Sequence, residues 1–364
     1  MRVIMTGGGT GGHIYPAIAI ADKIKTEQPD AEILYVGNEI GLEKDIVPKA
    51  GYEMAFVSAK WIDRSNPLKI LDTGFATLRG VWQAGNLMKR FRPDVVIGTG
   101  GYVCFPVIYA AHRYGARCYL HEQNAFPGVA NKSLERYVDK VFLGFPEASG
   151  LFHHPEKHVV TGNPVRRDFY GVDKAAARER LGIGQNDFVI FSFGGSQGAE
   201  AINNVVFDLM REVNGTQGIT LLFGTGGYYY EDILARCKEQ GIDPAENVRI
   251  KLYIDDMPDH LAASDLIIAR AGALSVAEIC VSGRASILVP SPNVTGNHQY
   301  FNAKSVADRG GAILIEEKEF TSNRLNREVA ALRDDPDRLR SMEEASRSCV
   351  PGDATEVIYR NLQR

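Results

Sequence analysis

The sequence predicts an α/β fold of two Rossmann-like domains, and three observations support this prediction. Short apolar segments that fit buried strands alternate with segments that fit helices, a pattern typical of a parallel sheet wrapped by helices. A strand, a glycine-rich turn and a helix open the chain, and the same order recurs from residue 188. The chain of 364 residues is long enough for two domains of ordinary size.

Thirteen segments are predicted as strands, seven in the first part of the chain and six in the second. The first group is RVIM, EILYVG, MAFVS, VVIG, RCYLHE, KVFLGF and HVVTG, and the second is FVIFSF, ITLLFGTG, VRIKLYI, LIIARAG, ASILVPS and GAILIE. Pro164 in GNPVRRDFY interrupts regular structure between the two groups. We therefore expect a first domain over residues 1–163, a second over 164–340, and a C-terminal helix in 341–364 that packs back on the first.

The opening loop, residues 7–12, contains five glycines between the strand RVIM and the helical segment PAIAIADKI, where Pro16 fits a first helical turn. Glycine lets other groups approach the backbone closely, and a helix N-terminus favours anions. The loop is therefore predicted to hold phosphate or another anion. Gly7, Gly9 and Gly12 also fit GxGxxG, but the next acidic residue, Glu39, comes late for a dinucleotide site, which stays an alternative.

Composition indicates a globular protein, with 45% hydrophobic and 24% charged residues. No apolar run approaches the ~20 residues of a membrane span, and no signal peptide is recognised. Five cysteines without metal-like spacing are expected to be reduced thiols of a cytoplasmic protein. The net charge of −4 divides into +3 for residues 1–166 and −7 for the rest, an asymmetry that bears on partners.

Eight motifs identify a family. They are GGGTGGHIYPAIAIA, DVVIGTGGYV, LHEQNAFPGVANK, TGNPVR, GGSQGAEAIN, YIDDM, RAGALSVAEI and NHQYFNA, in that order. In these motifs the chain resembles the MurG family of UDP-N-acetylglucosamine (UDP-GlcNAc) transferases from end to end. The resemblance implies a GT-B type glycosyltransferase fold, in which two Rossmann-like domains face a cleft, and it implies no cofactor and no metal. Phe105 and Ala271 depart from the family's usual residues, while Ser275 replaces a frequent threonine and keeps the hydroxyl.

The resemblance also implies which residues bind UDP-GlcNAc. The positions are Thr10, Gly11, Gly12, Asn124, Arg166, Ser196, Asn203, Ile254, Ala273, Leu274, Ser275, Glu278 and Gln299. Backbone groups at the start of ALSVAEI suit the diphosphate, because a helix N-terminus presents N–H groups, and Glu278 would take the ribose hydroxyls. Ile254 would frame the uracil. The neighbouring Asp255 and Asp256 are expected to cap a helix rather than to bind a metal.

The implied reaction is an inverting transfer of GlcNAc to the 4-hydroxyl of N-acetylmuramic acid (MurNAc) in lipid I, which yields lipid II for peptidoglycan. It needs a base near the attacking hydroxyl. His13 is the first candidate, because imidazole titrates near neutrality, and Glu122 is the second. Two alternatives stay open: an epimerase acting on the same donor, and a sugar-nucleotide sensor without catalysis.

A membrane contact is predicted for residues 60–92, which hold seven basic residues, two acidic residues and both tryptophans. An apolar stripe at helical spacing comprises Leu68, Leu71, Phe75, Leu78 and Trp82. Basic residues beside exposed tryptophan and leucine fit an anionic membrane surface, whereas packing on the protein's own sheet is the alternative. Lipid I as a partner implies a peripheral protein on the cytoplasmic face of the bacterial cell membrane, and no nucleic-acid partner is expected.

Overall fold

The computed structural model describes residues 1–60 and 67–363, with the side chains of 67–71 left out. Each of the thirteen predicted strand segments contains a strand. The strands are β1 Arg2–Thr6, β2 Glu32–Gly37, β3 Glu53–Phe56, β4 Val95–Gly98, β5 Arg117–Glu122, β6 Lys140–Leu143, β7 His158–Val160, β8 Phe188–Phe193, β9 Ile219–Gly224, β10 Val248–Lys251, β11 Leu266–Ala269, β12 Ala285–Leu288 and β13 Ala312–Leu314.

The helices between them follow the predicted alternation. They are α1 Gly11–Glu27, α2 Glu43–Lys49, α3 Pro67–Phe91, α4 Cys104–Tyr114, α5 Val129–Leu134, α6 Lys174–Leu181, α7 Glu200–Val213, α8 Tyr230–Glu239, α9 Met257–Ala263, α10 Ala273–Ser282, α11 His298–Ala307, α12 Ser322–Arg333, α13 Pro336–Ser348 and α14 Ala354–Leu362. Short 3₁₀ turns complete the connections, including one at Glu135–Tyr137.

The chain forms two compact units, each built on one parallel sheet. The first comprises Met1–Val165 and the chain from Pro351 onward, and its strand order is β3-β2-β1-β4-β5-β6-β7. The second comprises Arg166–Val350, with the order β10-β9-β8-β11-β12-β13. In both sheets the strand order reverses beside the first strand of the unit, and ligands of open α/β sheets bind at such points, outside the carboxyl ends of the strands.

Successive residues of the central strands pack on opposite faces of the first sheet. Ile4 of β1 lies in a buried cluster with Ala84 and Met88 of α3. Val3 and Met5 lie on the other face, in a cluster that includes residues of α1 and α14. Because side chains alternate along a strand, a run that is apolar at every position is buried on both faces. This explains why central strands such as β1 and β4 are almost entirely apolar.

The first helix differs from its prediction. It begins at Gly11, so Pro16 lies inside the helix and not in its first turn. Thr10 is the N-cap residue but makes no side-chain capping bond. As a consequence, Gly11, Gly12 and His13 form the first turn of α1, and His13 is attached to the helix instead of to a loop.

Candidate active site

The glycine loop of the first unit connects β1 to α1. Gly9 has a φ of +85°, a backbone conformation that side-chain-bearing residues rarely adopt. The amide of Gly8 donates to the carbonyl of Gly100, 3.2 Å away, which joins this loop to the turn after β4. Since β1 and β4 are neighbouring parallel strands, their carboxyl ends bring the two glycine-rich turns to the same edge of the sheet.

His13 is half-buried in the first turn of α1, beside this loop, and its ring is oriented by the backbone. Nδ1 lies 3.0 Å from the carbonyl oxygen of Gly8, and because a carbonyl can only accept, Nδ1 carries the proton. Nε2 is then the basic nitrogen of the neutral ring. The hydroxyl of Thr99 donates to the carbonyl of His13 at 2.7 Å and fixes the helix turn on which the ring stands.

Gly100 makes room for that ring. Its φ is +108°, and a Cβ added there would lie 2.7 Å from Cδ2 and 3.0 Å from Nε2 of His13. Either feature alone disfavours a side chain, and together they require glycine. Gly100 was not among the predicted site residues, although it lies in the motif DVVIGTGGYV.

Glu122 ends β5 and is buried, with 1% of its surface exposed. Its carboxylate accepts hydrogen bonds from the backbone and side-chain amides of Asn124 at 3.0 and 3.2 Å, from Gly128 N at 3.0 Å and from Asn131 Nδ2 at 2.8 Å. These four hydrogen bonds hold in place the loop that carries Asn124. Asn124 itself is half-buried. Gln123 donates to the carbonyl of Thr99 at 2.7 Å, so this loop is tied to the turn beside His13.

In the second unit, the first turn of α10 consists of Ala273, Leu274 and Ser275, with Gly272 as the N-cap residue. N–H groups in a first helical turn are not used by the helix itself and can face an anion. The preceding loop is anchored by Asn302, whose buried amide donates to the carbonyl of Ala271 at 3.1 Å. The sequence-based site missed Asn302, although it lies in the motif NHQYFNA.

Glu278 stands one helical turn further along α10 and is half-buried. Burial raises the pKa of its carboxyl from 4.5 to about 7, while the Arg166 guanidinium lowers that pKa and Asp168 raises it. Arg166 and Asp168 form an exposed ion pair at 3.5 Å. The structure therefore brings together Arg166 and Glu278, two positions that are more than a hundred residues apart in the chain.

The turn after β8 contains Ser196, which is exposed, and leads into α7. Asn203 on that helix is buried, and its Nδ2 donates to the carbonyl of Thr225 at 2.8 Å. Its side chain therefore holds the turn that follows β9. Ile254 is also buried, at 8% exposure, and a Cβ added at Gly224 would lie 3.2 Å from its Cγ1, closer than an ordinary van der Waals contact.

Two further predictions concern Asp256 and Gln299 of the second unit. Asp256 occupies the N-cap position of α9 as predicted, but its carboxylate lies 3.0 Å from His260 Nδ1 and makes no bond to a helix N–H, so the expected side-chain cap is wrong. Gln299, on α11, is half-buried, and its Oε1 accepts from the amide of Ser291 at 2.9 Å. That bond directs the side chain toward the carboxyl end of β12.

The two departures from the family pattern are accommodated by packing. Phe105 is half-buried on α4 and stacks on Tyr109, with ring centroids 6.1 Å apart. Ala271 is fully buried between β11 and α10, where a hydroxyl would need a hydrogen-bond partner. Ser275, by contrast, lies in the partly exposed first turn of α10.

The comparisons with known proteins cover the complete chain. Models of the glycosyltransferase family 28 N-terminal and C-terminal domains match residues 3–143 and 189–356. UDP-N-acetylglucosamine--N-acetylmuramyl-(pentapeptide) pyrophosphoryl-undecaprenol N-acetylglucosamine transferases from Alkaliphilus oremlandii and Desulfitobacterium hafniense are 40% and 42% identical to it, over 100% and 99% of this chain and 98% of theirs. The chain belongs to the MurG family of glycosyltransferases.

A solved structure of a MurG agrees with this assignment. The crystal structure of Acinetobacter baumannii MurG matches with a TM-score of 0.80 and 27% identity, covering 100% of this chain and 99% of that one. The predicted fold class, two Rossmann-like domains of the GT-B type, is thereby confirmed. Among the helices of the described residues, none has the length and apolar character that crossing a membrane requires.

Proposed function

We propose that the chain transfers N-acetylglucosamine from UDP-GlcNAc to the 4-hydroxyl of MurNAc in lipid I, with inversion, and so forms lipid II. The observation that carries the proposal is the identity of 40–42% to the named transferases along nearly the whole length of both chains. The first domain would bind lipid I, and the second would bind the nucleotide donor.

The displacement is a single step in this proposal. The 4-hydroxyl oxygen of MurNAc bonds to the anomeric carbon of GlcNAc while the bond from that carbon to the diphosphate oxygen breaks. The electron pair leaves with UDP, and His13 Nε2 takes the proton of the attacking hydroxyl. The ring geometry supports this role, because Nδ1 donates to Gly8 and leaves Nε2 as the basic nitrogen.

Glu122 is the weaker candidate for the base. Its carboxylate is buried and accepts four hydrogen bonds from its own loop and from α5. A base must reach the proton that it removes, and a carboxylate engaged in this way is better suited to holding a loop. We assign Glu122 to the positioning of Asn124, and Asn124 to contact with the sugar end of the donor or with the acceptor diphosphate.

The donor would be bound mainly by the second domain. N–H groups of Ala273, Leu274 and Ser275 would face the diphosphate, since they lie in the first turn of a helix of ten residues. The exposed Ser196 and Arg166 would add a hydroxyl and a guanidinium to the phosphate contacts. The remaining contacts of the proposal are Glu278 with the ribose, Ile254 with the uracil, and Gln299 and Asn203 with or near the sugar.

The glycine loop would serve the reacting end of the donor. Thr10, Gly11 and Gly12 stand at the N-terminal end of α1, a helix of seventeen residues, so their backbone suits negative charge. Thr10 and Gly12 are exposed, which allows a substrate to approach them. An acceptor diphosphate bound there would lie near His13.

An assay of UDP release tests the proposal against its alternatives. The protein is incubated with UDP-GlcNAc, with and without a short-chain analogue of lipid I. We expect UDP only when the acceptor is present. An epimerase would convert the sugar without the acceptor, and a sensor would bind the donor and release nothing; either result would refute the transferase.

We further propose that α3 meets an anionic membrane surface and that the protein is peripheral on the cytoplasmic face of the cell membrane. Phe75, Leu78 and Trp82 are 73%, 68% and 69% exposed, so packing on the sheet does not account for them. Thr73, Ala84 and Met88 occupy the buried face of the same helix instead. The predicted Trp61, Leu68 and Leu71 contributions lie outside the described residues or side chains.

Basic residues complete this surface. Arg79, Lys89 and Arg90 are exposed on α3, and each cation near an anionic surface contributes about 1 kcal/mol to membrane binding. A cavity of about 660 Å³ between β3 and α3 is lined by Phe56 and Trp82 together with Lys89 and Arg90. Apolar rings beside cations are what an interfacial contact with anionic lipid requires.

A further inference from the structure

Glu43 is a buried carboxylate beside the glycine loop. It is the first residue of α2, and none of its surface is exposed. Three glycines make room for it, Gly8 in the glycine loop, Gly37 at the end of β2 and Gly41 just before α2: a Cβ added at them would lie 2.4, 2.6 or 2.2 Å from a Glu43 side-chain atom. Among the ion pairs of the described residues, none involves Glu43. Burying an ionised carboxylate costs free energy unless hydrogen bonds replace those that it made with water.

The hydrogen bonds of Glu43 reach two turns of the sheet edge. Oε1 accepts from the amide of Asn38 at 3.0 Å, and Oε2 accepts from the amide of Gly9 at 3.1 Å. The Gly9 N–H would otherwise point toward any anion bound at the glycine loop. Glu43 therefore fixes the orientation of the peptide group between Gly8 and Gly9.

That same peptide group holds His13. Its N–H belongs to Gly9 and donates to Glu43, and its carbonyl belongs to Gly8 and accepts from His13 Nδ1 at 3.0 Å. A peptide group is planar, so fixing one end fixes the other. Hydrogen bonds in such a chain polarise one another, and a negative charge at one end makes the carbonyl at the other a better acceptor.

We propose that Glu43 is a positioning residue for the base, acting on His13 through the Gly8–Gly9 peptide. The carboxylate keeps the proton of the neutral ring on Nδ1, keeps Nε2 directed at the attacking hydroxyl, and stabilises the imidazolium that forms when Nε2 takes the proton. The arrangement follows the logic by which a carboxylate orients a catalytic histidine, with a peptide group between the two. The kinetic part of this inference rests on the proposed transferase activity.

The test compares Glu43→Gln with a matched control, Glu135→Gln. Glu135 is similarly buried, at 1% exposure, and accepts two backbone N–H groups, from His153 at 2.8 Å and His154 at 2.7 Å, at a site away from the glycine loop. It also contacts His158 Nε2 at 2.9 Å, a buried pair that Glu43 lacks, so its loss of stability sets an upper bound for comparison. Outer partners that orient a metal-bound histidine contribute about 10- to 100-fold, and we take the same size for a histidine that acts as a base. We expect Glu43→Gln to lower kcat by about that factor with little change in the KM for UDP-GlcNAc, and Glu135→Gln to leave kcat within about twofold.

Two further measurements separate positioning from general destabilisation. In a His13→Ala background, Glu43→Gln should cause no further loss of kcat, because the residue through which it acts is gone. In the otherwise unaltered protein labelled with ¹⁵N-histidine, NMR should show His13 as the Nδ1–H tautomer, and Glu43→Gln should shift it toward Nε2–H. The NMR result is independent of lipid I, so it tests the relay even if the transferase proposal fails.

Three results would overturn the inference. They are equal kcat losses from Glu43→Gln and Glu135→Gln, an undiminished effect of Glu43→Gln in the His13→Ala background, and unchanged ¹⁵N signals of His13 in Glu43→Gln. Melting temperatures of all variants are measured in parallel. If Glu43→Gln does not fold, Glu43→Asp, whose shorter side chain moves the carboxylate away from the Gly9 amide, is measured by the same NMR experiment, and an unchanged His13 tautomer then refutes the relay.

Discussion

Replacing Glu278 by glutamine should increase stability and weaken donor binding, and the pKa of the carboxyl sets the size of the first effect. A pKa raised from 4.5 to about 7 corresponds to about 3 kcal/mol that the folded state loses when the group ionises. Because the side chain is only half-buried and solvent screens part of this cost, we expect about 1–2 kcal/mol. In the proposed donor site, this loss of stability accompanies the carboxylate that would contact the ribose.

The sign of the effect follows from protonation. Below a pH of about 4.5 the carboxyl is protonated in both folded and unfolded chains, so the cost is absent. It grows as the pH rises toward 7 and is complete above the folded-state pKa of about 7. Glu278→Gln should therefore raise the free energy of unfolding at pH 8 and leave it nearly unchanged at pH 4.5.

Urea unfolding followed by circular dichroism at the two pH values measures this difference. Glu344→Gln is the control, because Glu344 is exposed on α13 of the same unit. Both tryptophans belong to the first 165 residues, so tryptophan fluorescence reports the first unit separately.

Calorimetry with UDP-GlcNAc should show affinity about tenfold lower for Glu278→Gln, as expected for a weakened hydrogen bond to a charged group. If both variants behaved alike in stability and in affinity, the assignment of Glu278 to the donor site would be wrong.

Three other predictions concern the first unit. His13→Ala should lower kcat by about 10²–10⁴-fold with a smaller rise in donor KM, and a fall below about tenfold would contradict the base role. Gly100→Ala should reduce both kcat and stability, by about 1–3 kcal/mol for the strained backbone, whereas wild-type kcat would refute the close approach to His13. Lys89→Glu with Arg90→Glu should abolish sedimentation with anionic vesicles and spare activity on a soluble acceptor; binding that resists both these reversals and salt would refute the membrane surface.

The strands were predictable because their physical signal is local. A strand buried on both faces of a parallel sheet is largely apolar, and most of the thirteen segments are short and bounded by polar or glycine-rich residues. The start of α1 was not predictable in this way. Pro16 fits a first turn, but the helix begins at Gly11. There the Thr99 hydroxyl donates to the carbonyl of His13, and the carbonyl of Gly100 accepts from the amide of Gly8 in the preceding loop. Those contacts come from residues more than eighty positions away.

The site residues also divide into those with a local signal in the sequence and those placed by distant residues. The proposed base His13 and the proposed ribose contact Glu278 lie in motifs that are recognisable in the sequence and could be selected from it. Glu43 could not, because its burial depends on Gly8 of the glycine loop as well as on Gly37 and Gly41 nearby, and in the sequence it resembles an ordinary charged residue of a helix. The two faces of α3 also needed the structure, since helical spacing alone does not decide whether Trp82 or Met88 faces the core.

The anomeric configuration of the product tests the central proposal most directly. The protein is given UDP-GlcNAc and a short-chain lipid I analogue. Proton NMR then records the coupling between H1 and H2 of the transferred sugar, which reports its anomeric configuration. We expect a β linkage to the 4-hydroxyl of MurNAc with one UDP released per bond formed, as a single displacement assisted by one base requires. An α linkage, or release of UDP without a new disaccharide, would contradict it.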